Sequence, residues 1–538
     1  MKKIYFIFAL LASSVAFAQE DAWVYFNDKP NADTYLGNPL TMLSQRSLDR
    51  RVAQGIGLDT KDAPIEQSFI EQIAQLGTVE VMAKSKWLNA IHVRGSQSEI
   101  NALAAFNFVD HVQFANPSLN PAGKPRRQNA SHTTAKTLDT QVDFPYGSSA
   151  NQIEMLNGQF LHQQGYTGQG KIVAVLDAGF PGVNTVQPFK RLRDNNQILG
   201  GYNFVDRNED IYTRSSHGTM VLSTMGGYVQ NQLVGTAPDA SYYLFITEDV
   251  NGENPIEESF WVEAVERADS LGVDVVNTSL GYFGYDNPNY SHTYEDMDGQ
   301  TTFSARGANI AFTRGMIMVV SAGNSGNSSD PFIATPADAI NAFTIGAVDA
   351  FGDYASFSSI GPSFDGRVKP DVDAQGQASV VANPSGAVVT ASGTSFSGPI
   401  MAGMVASFWQ AYPQLTNAQV MQVVRESASL YENPTDEMGY GIPDFMAALN
   451  LASLATGEVG ASKFVVFPNP AQEQISILLP DNVSQAHMTI YNPLGQVVAQ
   501  KSISSHDRLV NLENLGSGVY LYTLTAGQTT QSGKLIKG

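Results

Sequence analysis

The sequence predicts an α/β protein built on a doubly wound, mainly parallel sheet, with a small α+β domain before it and a β-sandwich after it. Three observations carry this reading. The chain has 538 residues, too many for one hydrophobic core, and divides into about three folded units. From about Ser148 to Ala455, continuous apolar, β-branched runs alternate with helical stretches, the pattern of parallel strands covered on both faces. After Ser462 the texture changes to short alternating runs separated by turns.

Taken in order, the N-terminal part opens with a strand at Trp23–Phe26. Ile65, Phe69, Ile70, Ile73 and Leu76 recur at helical spacing, and Thr78–Ala83 and Asn89–Val93 read as strands. Ser98–Phe106 reads as a helix begun in the Ser96/Ser98 cap region, and Val109–Phe114 as a last strand. That βαββαβ order suits a split two-layer fold, with Pro30–Gly57 as an insertion carrying its own helix. Asn116–Tyr146 is rich in Pro, Asn, Ser and Thr, contains Lys124-Pro125-Arg126-Arg127, and reads as an exposed linker where nicking concentrates.

In the central part the expected strands include Lys171–Leu176, Ser241–Ile246, Val273–Thr278 and Met316–Ser321. The expected helices include Ile256–Ser270, Thr302–Arg314 and Gly398–Ala411. Ligands of such sheets sit at the carboxyl ends of the strands, where Asp177 and Asn324 fall. Beyond the linker Ala455–Ser462 come seven short strands: Phe464–Phe467, Gln474–Leu479, His487–Tyr491, Val497–Gln500, Leu509–Leu512, Val519–Thr525 and Gln531–Ile536.

The first residues read as a secretory signal. Lys2 and Lys3 precede an apolar run from Ile4 to Leu11, and Ala16-Phe17-Ala18 offers a small-residue site for cleavage before Gln19. The run is too short to span a bilayer. A formal net charge of −20 argues against nucleic acid or an anionic membrane surface as partner, and suits a protein kept soluble outside the cell. There is no cysteine, which excludes disulfides, thiolate catalysis and cysteine-ligated zinc. Stability must then come from packing or from slow unfolding. No His-Glu-x-x-His motif is present, so metalloprotease chemistry is unsupported.

Three segments far apart in the chain each present one member of a nucleophilic triad. They are Val175-Leu176-Asp177-Ala178-Gly179, Ser216-His217-Gly218-Thr219 and Gly393-Thr394-Ser395-Phe396-Ser397-Gly398-Pro399. A serine hydroxyl becomes a nucleophile when an imidazole takes its proton and a buried carboxylate holds that imidazole in the right tautomer. The order Asp, His, Ser separates this layout from the other two common triad orders. Each residue alone has an ordinary explanation, such as a loop cap, a satisfied histidine or a helix start; the three together, in this order and in these contexts, do not. Ser395 is expected just before the helix Gly398–Ala411, with Pro399 in its first turn, and His217 just before a helix from Thr219 to about Met225. A helix N-terminus beneath the nucleophile supplies amides and a dipole for a developing oxyanion. In Val319-Val320-Ser321-Ala322-Gly323-Asn324-Ser325-Gly326, Asn324 follows a buried strand and can donate its amide to that oxyanion beside the Ser395 backbone N–H.

On these motifs, Lys171–Leu449 resembles a subtilase catalytic domain. The resemblance implies that Asp177 orients His217, that His217 acts as base and then acid, and that Ser395 is acylated. Gly235-Thr236-Ala237-Pro238 and Asn277-Thr278-Ser279-Leu280-Gly281 also match, the latter resembling the strand that pairs with substrate. Ser279, Leu280, Gly281, Ala322 and Gly323 are then expected to line the cleft, with Ala334 at its base, and an apolar cleft favours an apolar or aromatic residue before the scissile bond. Ala178, Met220 and Gln375 depart from the family's usual residues without removing a reacting group.

No cofactor is expected for the chemistry. The connection Gly226–Val234 is shorter than the calcium-binding loop of many subtilases, which argues against calcium there, and Glu295-Asp296-Met297-Asp298-Gly299 reads as a solvated acidic loop. The N-terminal domain resembles a subtilase propeptide, an intramolecular inhibitor that also helps a slow-folding parallel sheet. Phe467-Pro468-Asn469-Pro470, Leu494-Gly495, Leu515-Gly516-Ser517-Gly518-Val519-Tyr520 and the terminal Lys534-Leu535-Ile536-Lys537 resemble the sorting domain of type IX secretion cargo, which implies contact with outer-membrane secretion machinery.

The expected layout is a signal peptide at 1–18, a propeptide at 19–120, a processing region at 121–147, a peptidase domain at 148–455, a linker at 456–462 and a sorting domain at 463–538. The expected product is a monomeric, secreted or surface-bound endopeptidase acting on proteins and peptides. A catalytically silent binding module would have lost a triad residue, and sedolisin-type acid chemistry would need Glu where His217 stands; neither mark is present.

Overall fold

The computed structural model describes residues 19–120, 144–455 and 464–538, the last without 468–470, 472, 480–482, 494–495, 505–507 and 527–528. The expected signal at 1–18, most of the expected processing region, the linker at 456–462, and the Pro468–Pro470 and Leu494-Gly495 motifs lie outside the described residues.

The N-terminal domain contains β1 (Gln19–Phe26), α1 (Gln45–Ala53), α2 (Gln67–Ala74), β2 (Glu80–Ser85), β3 (Ala90–Ser96), α3 (Gln97–Ala102) and β4 (Val109–Phe114). The strands form an antiparallel sheet in the order β2-β3-β1-β4. α3 starts where Ser96 and Glu99 form a capping box, as the sequence signals. The period of two decides what each face of β1 touches. Ala22, Val24 and Phe26 enter the domain's own core with Ile73, Ile91 and Leu103, while Trp23 and Tyr25 pack outward against the peptidase helices. The expected insertion helix is α1, preceded by a short helix at Ala32–Leu36.

The central sheet has seven strands, all parallel. They are β5 (Ile172–Asp177), β6 (Ile198–Asn203), β7 (Ser241–Ile246), β8 (Val275–Thr278), β9 (Ile317–Ser321), β10 (Phe343–Val348) and β11 (Val372–Gln375), in the order β11-β10-β9-β8-β5-β7-β6. Both faces are apolar. Val173, Val175, Ile317 and Val319 face one core, shared with the helices α4 (His217–Gly226) and α7 (Thr394–Ala411). Ala174, Leu176, Met318 and Val320 face the other, under α5 (Ile256–Leu271) and α6 (Phe303–Thr313). This is why the strands read as unbroken hydrophobic runs. One further helix, α8 (Asn417–Glu426), packs near the start of β9, its Asn417 side chain donating to the carbonyls of Phe312 and Met316.

Two helix starts differ from expectation. α7 begins at Thr394 and not at Gly398, so Ser395 lies within its first turn and Pro399 inside the helix. The side-chain hydroxyls of Ser321 and Ser397 donate to the Thr394 carbonyl at 2.7 and 3.2 Å. Pro399 has no N–H for the Ser395 carbonyl, and the Ser279 hydroxyl fills that position at 3.0 Å. The proline is therefore tolerated because neighbouring loops satisfy what it leaves open. α4 likewise begins at His217 itself, whose N–H donates to the Ser215 hydroxyl at 3.2 Å.

Among its described residues the C-terminal unit, from Ser453 onward, carries seven strands, as expected. Val465–Phe467, Gln474–Leu478 and Leu509–Asn511 form one antiparallel sheet. Gln485–Tyr491, Val497–Ser504, Gly518–Ala526 and Thr529–Lys537 form the other. Ile475, Ile477, Met488, Ile490, Ile503, Leu524 and Leu535 make one core between them.

Candidate active site

Asp177 is the last residue of β5 and is 1 % exposed. One of its oxygens accepts the Ala178 N–H at 2.7 Å, and His217 Nδ1 lies 2.8 Å from Oδ1 and 3.1 Å from Oδ2. With Nδ1 donating to the carboxylate, Nε2 keeps its lone pair. The adjacent Asp177 charge raises the His217 pKa above its ordinary value, against the opposing effect of burial. Strand end and helix start come this close because Gly218 has no side chain. A Cβ there would lie 2.5 Å from the Gly179 carbonyl oxygen and 2.9 Å from Asp177 Cβ.

Ser395 and Ser279 bond reciprocally: the Ser395 hydroxyl donates to the Ser279 carbonyl at 3.3 Å, and the Ser279 hydroxyl donates to the Ser395 carbonyl. Among the described residues no hydrogen bond joins Ser395 to His217, although the neighbouring Phe396 ring lies 5.9 Å from the imidazole. Such bonds are commonly long without substrate.

The Asn324 amide is oriented by Thr394. Its Oδ1 accepts the Thr394 N–H at 2.9 Å and the Thr394 hydroxyl at 3.1 Å, which turns the NH₂ group into the remaining donor. The Thr394 hydroxyl also accepts the Gly323 N–H at 3.2 Å, and Gly323 holds φ +110 with only 2.7 Å between a built Cβ and Ser359 Oγ. Thr394 thus fastens the Asn324 loop to the first turn of α7, a role that sequence reading missed because nothing local marks it.

The expected cleft residues assemble beside these groups. Ser279-Leu280-Gly281 leaves the carboxyl end of β8, and Ala322-Gly323 leaves the adjacent β9. A Cβ at Gly281 would sit 3.4 Å from that of Ala334, so Ala334 lies against this segment. The next residue, Tyr282, exchanges backbone bonds with Thr335 at 2.7 and 3.2 Å.

Beneath this wall lies a buried polar network invisible in the sequence. Glu258 accepts from the Ser304 N–H and hydroxyl, the Tyr285 hydroxyl and His292 Nε2. Burial alone would raise its carboxyl, but the His292 charge and these bonds hold it down at about 2. Ser304 and Thr302 both meet the Thr335 hydroxyl, which ties the network to the wall. A second pair, Glu248 and Glu257, sits at the other end of Tyr282, whose hydroxyl donates to Glu248. Burial pushes Glu257 up to about 8 and raises Glu248 strongly.

The acidic stretch at 295–299 works as caps. Asp296 accepts from Thr293, and Asp298 from the Gln300 and Thr301 N–H groups. Among the described residues no group of three or more His, Cys, Asp or Glu is placed to hold a metal ion.

Comparison with known proteins gives the family. Residues 168–441 match the subtilase family, residues 21–135 the peptidase S8 propeptide domain of Bacteroidota, and residues 465–538 a secretion system C-terminal sorting domain. Subtilisin J of Geobacillus stearothermophilus is 31 % identical over 393 residues, covering 71 % of this chain and 90 % of its own. Subtilisin NAT of Bacillus subtilis subsp. natto is 28 % identical over 419 residues, covering 76 % of this chain and 96 % of its own. The solved MycP3 protease of the type VII (ESX-3) secretion system is 22 % identical, with a TM-score of 0.46 over 59 % of this chain and 93 % of that one. The chain belongs to the subtilase family: it is a subtilisin-like serine endopeptidase with a propeptide before its peptidase domain and a sorting domain for secretion or surface display behind it.

Proposed function

We propose that Ser395 is the nucleophile of this peptidase, His217 its general base and acid, and Asp177 the group that orients and stabilises the imidazolium. The paired bonds from His217 Nδ1 to the Asp177 carboxylate are the observation that carries this reading. His217 Nε2 takes the Ser395 proton as Oγ attacks the scissile carbonyl, then returns it to the leaving amine; water deacylates the enzyme by the same route. The oxyanion receives the Asn324 amide and the Ser395 N–H, the latter at a helix N-terminus that favours negative charge. Substrate backbone runs along Ser279-Leu280-Gly281 and faces Ala322-Gly323. The small side chains of Ala322 and Ala334 favour an apolar or aromatic residue before the scissile bond.

Residues 19–120 act as the intramolecular inhibitor, residues 121–147 hold the bond cut on activation, and residues 148–455 form the mature peptidase. The chemistry uses no cofactor. The leader at 1–18 directs export and residues 463–538 engage the outer-membrane type IX machinery, delivering a monomeric enzyme outside the cell. The test compares the full chain with Ser395→Ala, following cleavage within residues 121–147 and hydrolysis of casein near neutral pH. Cleavage by the unmodified chain alone supports the assignment; equal behaviour refutes it. Sequencing of product ends reads the cleft, and a profile dominated by basic residues refutes the apolar preference.

A further inference from the structure

α7 runs through Pro399, its sixth residue, and this leaves a gap in its backbone bonding. The Ser395 carbonyl is the group that would accept the N–H of residue 399, and proline has none. A proline inside a helix usually bends or ends it. Here a bend would displace one peptide group above all, that of Ser395, which carries both the proposed nucleophile and a proposed oxyanion donor. The gap is filled from outside the helix, where the Ser279 hydroxyl donates to the Ser395 carbonyl at 3.0 Å.

That hydroxyl is itself aimed. Asn277 and Ser279 are two residues apart at the end of β8 and so point to the same side of the sheet. Asn277 is in register with Val175 and Val319, which face the core shared with α7. Its Nδ2 group donates to the Ser279 hydroxyl at 3.0 Å. A hydroxyl has a single proton, and with its oxygen accepting from Asn277 that proton is left for the Ser395 carbonyl. Asn277 is 0 % exposed and Ser279 4 %, and Asn277 Oδ1 has no hydrogen-bond partner among the described residues. An amide buried with one end unsatisfied opposes folding, and packing alone favours an apolar residue there, as at Val275 and Val276.

The neighbouring strand holds the same turn from the other side. The Ser321 hydroxyl donates to the Thr394 carbonyl at 2.7 Å, and α7 lies so close that a Cβ on Gly398 would be 2.6 Å from Ser321 Oγ. The two serines differ in what they supply. Gly398 keeps an N–H for the Thr394 carbonyl, so Ser321 adds a second donor. Pro399 offers none, so Ser279 is the donor for Ser395.

We propose that Ser279 is a positioning residue for catalysis: its hydroxyl, aimed by Asn277, stands in for the missing N–H of residue 399 and holds the Ser395 peptide group in the geometry of attack. The proposal rests on the reading of Ser395 as nucleophile. It gives Ser279 two separate tasks, since its backbone lies along the proposed cleft while its side chain acts through the helix.

A double-mutant cycle tests this, with the full chain carrying Ser279→Ala, Pro399→Ala or both. Each chain is activated by its own cleavage or, where that is slow, by trypsin at Arg126 or Arg127. Hydrolysis of a peptide anilide is measured per active site, with Tm in parallel. Ser279→Ala leaves a buried carbonyl unpaired and is expected to lower kcat about tenfold, with KM within about twofold and the acid limb of the pH profile unmoved. Pro399→Ala restores an N–H at position 399. In that background the same Ser279→Ala change is expected to lower kcat by less than about threefold. Equal losses in the two backgrounds overturn the proposal, as does an unchanged kcat or a loss carried by KM.

If Ser279→Ala does not fold, the double variant decides. Folded enzyme with kcat within about threefold of Pro399→Ala supports the role, because the restored N–H has replaced the hydroxyl; a double variant that also fails to fold overturns it. Failure of the nucleophile reading is seen separately. Phenylmethylsulfonyl fluoride, which sulfonylates an activated serine oxygen with loss of fluoride, then leaves Ser395 of the unmodified enzyme unlabelled in mass spectra of its peptides.

Discussion

Thr394 offers a direct test of how Asn324, the proposed oxyanion donor, is positioned. Its hydroxyl makes two bonds, one donated to Asn324 and one accepted from Gly323, while its backbone N–H makes a third to Asn324. Thr394→Val keeps the shape and the backbone bond and removes both hydroxyl bonds. A neutral hydrogen bond contributes about 1 kcal/mol net, and the Gly323 N–H is left without its acceptor, so the loop bearing Asn324 loses about 1–2 kcal/mol of support. If about 1.4 kcal/mol of that is expressed in the transition state, kcat falls about tenfold. The ground-state carbonyl is not yet an oxyanion, so KM for a peptide anilide stays within about twofold. Thr394→Ser, which keeps the hydroxyl, retains kcat within about threefold of the unmodified enzyme. Steady-state kinetics of the activated enzymes, with Tm measured in parallel, read these outcomes. Two results refute the reasoning: a Thr394→Val enzyme with unchanged kcat, or a Thr394→Ser enzyme as slow as Thr394→Val, which would assign the effect to the lost methyl.

Two further outcomes concern pH. The base must be neutral to accept the Ser395 proton, and Asp177 raises the His217 pKa, so the acid limb of kcat/KM lies above the free-imidazole value of about 6.5. The same pair contributes stability that is fully present below about pH 6.5 and is lost as pH rises through the folded-state value, so activity and this contribution change in opposite directions. A kcat/KM profile with its acid limb below 6 contradicts the assignment. Asp373 on β11 is buried with neither carboxyl oxygen partnered among the described residues, one of them over the bare Gly346, and burial raises its pKa well above the ordinary value. Its neutral form favours the folded state, so stability falls as pH rises from about 3.9 toward the folded-state value. Asp373→Asn is expected to flatten that decline in thermal scans between pH 5 and 9; an unchanged slope assigns it to other groups.

The proposed triad residues stand out in the sequence because each sits in a short local context: a strand ending in Asp177, a Gly after His217, and Gly393 and Pro399 around Ser395. Unbroken apolar runs gave the parallel strands for the same reason, since such a run is legible within a few residues. The first turn of α7 was misread because the local rule places Pro399 at a helix start. The hydroxyls that permit an earlier start come from Ser279 and Ser321, which are 116 and 73 residues from the groups they reach. The same distance in sequence hides Thr394's hold on Asn324, the Glu258 network under the cleft, and the pairing of Arg50 with Asp269 across 219 positions. By itself the sequence determined the family and the order of propeptide, peptidase and sorting domains, and it put forward the candidate reacting groups at strand and helix ends, because those depend on neighbours within a turn or two. Only the tertiary structure decided which polar groups lose water together. That choice depends on the summed packing of distant segments, and it sets the pKa values, the orientation of the Asn324 amide and the ion pairs between the N-terminal domain and the peptidase domain.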